Sequence, residues 1–194
     1  MPLWRRKASP AGADELANRL ETLGLFEQLD ADAARRVKEA VAREGIDALF
    51  RTELKRTAFA GDAEDLAEGG IGGFLEELRP LLEVRGVELG EVEDDFREDG
   101  YRVRVGDEVY TIYGADVIEG DMARGWGLAW VRAFDIVNGL LERAGSRERA
   151  YTLPEWDVWF LTPEQFETIR AAIDEPRHRP YLPVDEHPWY GADH

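Results

Sequence analysis

The sequence predicts an α+β fold, in which a helical N-terminal half precedes a mainly antiparallel sheet of about five strands packed on a buried amphipathic helix. Three observations predict it. Apolar residues recur at helical spacing before position 87. From Val87 onwards the apolar period changes to two, the spacing of a β-strand. Residues 126–143 then form a helical stripe so apolar that we expect this helix to be buried against the sheet.

The first two helices have recognisable ends. Asp14 is the predicted N-cap of the first helix, because the apolar positions at helical spacing begin directly after it. Asp30 is the predicted N-cap of the second helix, and Gly45 is its predicted end, because glycine readily adopts the left-handed conformation of a helix terminus.

A glycine-rich stretch, GGIGG at residues 69–73, precedes the next predicted helix, which runs from Phe74 to about Leu82. Such a stretch can bind phosphate when it follows a strand. Here an acidic, helix-like segment precedes it, and its carboxylates would repel phosphate. We therefore interpret the stretch as a flexible turn and as a candidate hinge or subdomain boundary.

The clearest strand signal is the stretch GYRVRVGDEVYTIYG, which predicts a hairpin. Its two-residue loop, Gly106-Asp107, has glycine first, which suits a type II′ turn. Pairing about this loop sets Val103 opposite Tyr110. The same register sets Tyr101 opposite Ile112. Because this register agrees with the alternation of apolar residues, the two observations support each other.

Residues 150–166, AYTLPEWDVWFLTPEQF, predict two strands and the start of the last helix. Both alternating sets of the second strand are apolar, so we expect that strand to be central and Trp159 to lie in the core. Thr162 and Gln165 have the spacing of a helix capping box. Only the turn before the second strand is left to face a ligand. This candidate turn site consists of Glu155, Trp156 and Asp157.

These elements predict one folded unit with four parts. The parts are a disordered basic start (1–12), a helical subdomain (13–86), an α+β core (87–175, with helices at 126–143 and 163–173) and a proline-rich extended tail (176–194).

The chain has 41 acidic residues against 24 lysines and arginines, a formal net charge of −17. Such a charge is expected to repel nucleic acid and anionic membranes. No apolar stretch reaches the roughly 18–20 residues of a membrane span, and the basic start lacks the apolar region of a secretory signal. Because there is no cysteine, disulfides and thiolate zinc sites are excluded. A cytoplasmic location is therefore expected.

The sequence lacks the motifs of several kinds of catalytic site. The two serines lie outside any G-x-S-x-G motif, and none of the three lysines follows a glycine loop. All three histidines lie in the tail, so a metal site of His187, Asp193 and His194 would need the tail to fold back. We predict no metal site and no cofactor.

Negative charge is concentrated between residues 88 and 121, where twelve acids stand against three arginines, a net charge of −9. Like charges repel, and a chain tolerates them on a solvated surface. This surface either only aids solubility or is a docking face for a basic protein partner. The predicted acidic face consists of Glu91, Glu93, Asp94, Asp95, Glu98, Asp99, Asp116, Glu119 and Asp121.

Two classes of function follow. The first is a small, acidic, soluble, bacterial-type protein that binds a basic partner and neutralises or escorts it. Bacterial immunity proteins are similar in size, charge and α+β character, an analogy that rests on composition and not on a motif. The second class is a hydrolase for a small or sugar-like substrate, which needs two carboxylates about 5–10 Å apart. Glu155 and Asp157, beside Trp156 and Trp159, are its candidates. We expect binding rather than catalysis, and we predict no oligomeric state.

Overall fold

The structure is a computed structural model that describes residues 10–51, 54, 56–59, 61–120, 122–153, 157–188 and 190–193. Within these residues, seven α-helices and two three-stranded antiparallel sheets form a mixed α+β fold. The helices are α1 (Pro10–Thr22), α2 (Ala31–Glu44), α3 (Ala63–Asp65), α4 (Ile71–Glu83), α5 (Ala115–Gly120), α6 (Met122–Arg143) and α7 (Pro163–Ala172). The strands are β1 (Thr57–Phe59), β2 (Val92–Arg97), β3 (Gly100–Val105), β4 (Glu108–Gly114), β5 (Arg149–Thr152) and β6 (Asp157–Leu161).

The strands form two sheets, where the sequence had predicted one sheet of about five strands. Sheet A has the order β1-β6-β5, and sheet B has the order β2-β3-β4. Strand β1 lies in the half of the chain that was predicted to be helical, and it pairs with β6 about a hundred residues later, Thr57 opposite Trp159. Three residues are too few to show the alternation of a strand in the sequence, so β1 is recognisable only from its pairing with β6.

Strand β6 is the central strand of sheet A, and both of its faces are covered. Val158 and Phe160, each 0% exposed, belong to a first core with α4, α6 and sheet B. Trp159, at 2%, and Leu161, at 0%, belong to a second core with α1, α2 and α7. The prediction of a central strand with Trp159 in the core is confirmed. Because full burial of each large apolar side chain contributes about 1.5–3 kcal/mol, β6 stabilises both cores at once.

Helix α6 lies between the sheets and contacts β4 of sheet B and β5 of sheet A. Its Asn138 amide bonds both backbone groups of Ala150: the side-chain nitrogen donates to the carbonyl at 3.1 Å, and the side-chain oxygen accepts from the N–H at 2.7 Å. Thr152 exchanges two further backbone hydrogen bonds with Tyr181 of the tail, both at 2.9 Å. The outer edge of β5 is therefore closed by a helix side chain and a tail residue.

Two buried arginines share one carboxylate next to sheet A. Arg56, directly before β1, and Arg85, two residues after the end of α4, both donate to Glu148, directly before β5. Arg56 also donates to the carbonyl of Leu25 at 2.9 Å, and the Arg85 guanidinium lies 4.2 Å from the centre of the Phe160 ring. Burial lowers the pKa of Arg85 below its usual range. The Glu148 carboxylate thus provides the counter-charge for both guanidinium groups. The ion pairs join three segments that are distant in the sequence.

Several local signals are confirmed. Asp30 accepts a hydrogen bond from Ala33 N at 2.8 Å as the N-cap of α2. Gly45 ends that helix with a φ of +79°. Thr162 and Gln165 form the predicted capping box. Asp14 is not an N-cap, because α1 already begins at Pro10, and proline is favoured in the first helical turn.

The hairpin register is confirmed near the loop, with Val103 opposite Tyr110. It is wrong by one residue further along, where Tyr101 is opposite Tyr113 and not Ile112, because of a β-bulge. The extra residue lets Ile112 and Tyr113 both point inward, at 3% and 4% exposure.

We expect the substitution Glu148→Gln to lower the free energy of unfolding by about 3–5 kcal/mol, because it leaves two buried arginines without their counter-charge. Urea denaturation would measure the loss. The matched control is Asp135→Asn, which removes the exposed pair with Arg132 and should cost less than about 1 kcal/mol. Equal, small losses in both variants would contradict the role of Glu148.

Candidate functional site

The candidate site is the outer face of sheet B. Because side chains alternate along a strand, Tyr101, Val103 and Val105 of β3 point into the first core, at 0–5% exposure. The alternate residues of the three strands point outward. They line a shallow, open depression with a volume of about 190 Å³, and the lining residues are Glu93, Asp95, Arg97, Arg102, Arg104 and Val109.

The arginines of this face are bonded to its acids. Arg104 lies opposite Glu93 in the register, bonds its carboxylate and reaches Glu91 at 3.6 Å. The hydrogen bond to Glu93 raises the pKa of Arg104. Arg102 contacts Asp99 at 3.1 Å, and this hydrogen bond lowers the pKa of Asp99.

Arg97 bonds Asp95, its neighbour on the same strand. The outer face is therefore a mixed array of charges and not a purely acidic one. Sequence reasoning missed the three arginines as members of the site. The hairpin register contained the signal for two of them, since it already placed Arg102 and Arg104 on the face opposite the core.

Two exposed acids at one end of sheet B have no such partner among the described residues. Glu98 lies in the turn between β2 and β3, and Asp116 lies in the first turn of α5, directly after β4. Both belong to the same end of the sheet, where Gly100 pairs with Gly114. In the part of the chain that the structure describes, neither carboxylate takes part in a side-chain hydrogen bond or an ion pair. Their charges are not compensated by a contact.

Asp94 lies apart from the other acids, on the inner side of β2. Its carboxylate accepts hydrogen bonds from Gly72 N at 2.9 and 3.0 Å and from the Tyr101 hydroxyl. The same hydroxyl accepts from Ile71 N at 3.0 Å. Asp94 and the Tyr101 hydroxyl thus satisfy the N–H groups of Gly72 and Ile71 at the start of α4, whose N-cap, Gly70, has no side chain to do so.

This contact explains part of the glycine-rich stretch. A Cβ atom at position 72 would lie 2.2 Å from an Asp94 carboxylate oxygen, so only glycine fits there. Residues 71–73 begin α4, so the stretch is in part a helix start held by Asp94 and not only a turn. The sequence could not predict this, because the partner is 22 residues away.

The remaining candidates are placed only in part. Glu119 lies in α5, but its side chain and the whole of Asp121 lie outside the described residues. In the turn site, Glu155 and Trp156 also lie outside them. Asp157 is half-buried at the start of β6, and its carbonyl accepts a hydrogen bond from Leu153 N at 3.1 Å.

No group of three or more metal-binding side chains occurs among the described residues. The same residues include no helix that combines the length and the apolar character needed to cross a membrane. Comparisons of the chain with protein-family models, curated proteins and solved structures found no match.

We expect Asp94→Ala to lower the free energy of unfolding by about 1–3 kcal/mol, because it leaves a buried hydroxyl and the Gly72 N–H without an acceptor. Urea denaturation would measure it. Asp95→Ala is the matched control on the outer face of the same strand and should cost less than about 1 kcal/mol. A larger loss for Asp95 than for Asp94 would overturn the assignment of Asp94 as the cap.

Alkaline pH should destabilise the fold. Burial, together with the hydrogen bond to Asp94, raises the pKa of Tyr101, and burial also raises the pKa of Tyr113, Tyr151 and Tyr181. The folded state favours the protonated phenols, so this stabilisation is complete below the unfolded-state pKa of about 10 and is lost as pH rises above it. Urea denaturation between about pH 8 and 11 should show the fall, and a constant free energy of unfolding across that range would contradict it.

Proposed function

We propose that this chain is a protein-binding protein that neutralises or escorts a basic partner, and that the partner docks on the outer face and ends of sheet B. One observation carries the proposal. The arginines of the acidic stretch are already bonded to acids of the same face, while Glu98 and Asp116 are exposed and have no side-chain bond within the described residues. The excess negative charge is therefore available to a partner.

The electrostatics favour a protein partner of opposite charge. With a net charge of −17, the chain attracts cations and basic surfaces over a screening length of about 8–10 Å at physiological salt. Such a field mainly raises the rate of encounter and selects against acidic partners. The attraction is predicted to weaken as salt is added.

The shape of the site favours a protein surface over a small substrate. A depression of about 190 Å³ is smaller than the roughly 300–1,000 Å³ of a typical ligand pocket, and ion pairs occupy it. The second candidate function, a carboxylate-based hydrolase, is favoured by no contact among the described residues. Trp159, one of its two aromatic residues, is buried in the second core. A cytoplasmic location stays a prediction from composition.

A tagged form of the protein tests the proposal in a lysate of its native host. We expect it to retain one basic protein in stoichiometric amount and to release it at about 0.5 M salt, where the screening length is short. The double substitution Glu98→Gln, Asp116→Asn should weaken binding roughly fivefold, because each exposed charge contributes on the order of 0.5 kcal/mol.

The matched control is Glu39→Gln with Glu167→Gln, which makes the same charge change on two exposed residues of α2 and α7. It should leave binding nearly unchanged. A partner that is acidic, salt-resistant binding, or an equal loss in both double variants would contradict docking on sheet B.

A further inference from the structure

Strand β4 is an edge strand of sheet B, and its outer edge has unpaired backbone groups among the described residues. In a hairpin with a two-residue loop, the residues that flank the loop form a hydrogen-bonded pair. Val105 and Glu108 are that pair, so the next hydrogen-bonded pair is Val103 with Tyr110. The backbone N–H and C=O of Val109 and Thr111 therefore point away from β3.

The pairing on the other side of β3 agrees with this assignment. Gly106 N donates to the carbonyl of Glu91 at 2.8 Å, which places the hydrogen bonds of Arg104 toward β2. Arg104 lies opposite Val109 on β4, and a residue in an antiparallel sheet directs both its backbone groups to one neighbour. Two independent observations, the pairing about the loop and the pairing with β2, therefore place the backbone groups of Val109 on the open side of β4.

This edge is exposed and uncovered in the described part of the chain. Val109 is 62% exposed and Thr111 is also exposed. No hydrogen bond among the described residues reaches the outward backbone groups of either one. The edge of β5 differs, because Asn138 and Tyr181 close it.

The two edge strands of sheet B also differ in charge. Strand β2, VEDDFR, carries four charged side chains, one of them directed inward. Charge of this kind protects a sheet edge from pairing with another chain. Residues 109–112 of β4 read VYTI, which are uncharged and favourable to strand structure. Strand β4 is thus the edge that can accept a further strand.

We propose that β4 accepts an extended segment of the basic partner, which adds a fourth strand to sheet B beside Val109 and Thr111. This inference rests on the proposed function and specifies its binding mode. Two residues with two outward groups each supply up to four backbone hydrogen bonds, and side chains on alternate positions of the segment supply selectivity.

The charges around the edge identify the occupant. Asp107 lies at one end of the open edge, and Asp116 follows β4 at the other. Glu108, next to Asp107, is paired with Arg143 of α6 at 2.9 Å. The two arginines of β3 form ion pairs with acids of β2 or of the turn after it: Arg104 pairs with Glu93, and Arg102 pairs with Asp99. The fitting segment therefore has a β-branched centre with lysine or arginine at its ends. A second copy of the chain is disfavoured, because it carries the same charge of −17.

The substitution Val109→Pro tests this mode. Proline removes the outward N–H and blocks the edge, yet it leaves the β3–β4 hydrogen bonds in place, since the N–H at position 109 does not take part in them. Val109→Thr is the matched control, because it keeps the backbone N–H and a β-branched side chain. The probe is a short fluorescent peptide of alternating valine and threonine with lysines at both ends, and anisotropy reports its binding at low salt.

We expect the wild-type protein and Val109→Thr to bind the peptide with similar affinity. Val109→Pro should bind it at least roughly tenfold more weakly, the equivalent of about 1.4 kcal/mol. Amide hydrogen exchange of the wild-type protein provides a readout that needs no variant. The peptide should slow the exchange of the Val109 and Thr111 N–H groups, and this result decides the question if the proline variant fails to fold.

The outcomes separate the inference from the proposed function. If Val109→Pro binds as the wild type does and the two amides exchange unchanged, strand addition is wrong, whereas binding of a basic partner stands. If the wild type does not bind the peptide at low salt, but the basic partner is still captured as described above, the occupant is not an extended segment and the inference fails alone. If neither binds, both proposals fail. A wild-type dimer in sedimentation that Val109→Pro abolishes would show a second copy as the occupant and overturn the inference.

Discussion

The burial of β6 on both faces is the constraint on which the rest of the structure depends. Val158 and Phe160 need one apolar layer, and Trp159 and Leu161 need another. Two cores must therefore form on opposite sides of sheet A, with α1, α2 and α7 in one and α4 and α6 in the other. Since this strand contributes two buried side chains to each core, we expect a substitution that disrupts β6 to destabilise both cores.

The position of sheet B follows from that arrangement. Helix α6 packs against sheet A through β5, and it also contacts β4 of sheet B. Sheet B then has one face in the first core and one face in solvent, which is the usual environment of an antiparallel hairpin sheet. The charged residues on the outer face of β2 and β3 thus project into water, where mutual repulsion is screened and ion pairs form at little cost.

Carboxylates from the same short stretch of sequence have different roles. Asp94 holds the start of α4, Glu93 and Asp95 bond arginines, and Glu98 stays solvated. Alternation along β2 separates Asp94 from Glu93 and Asp95, because successive side chains of a strand point to opposite faces. Mean charge along the chain therefore overstates the acidity of the outer face of sheet B, and the end of the sheet that carries Glu98 and Asp116 is more negative than its centre.

Local signals were sufficient for part of this structure. The cap at Asp30, the capping box at Thr162, the loop at Gly106 and the central position of β6 were all predicted from the sequence, since each depends on neighbouring residues or on a strand's own alternation. Long-range pairing was not predictable. The division into two sheets, the bulge beside Tyr101, the bond from Gly72 to Asp94 and the network around Glu148 each join residues through tertiary contacts. Only the folded chain decides which distant partner satisfies a buried polar group or a strand edge.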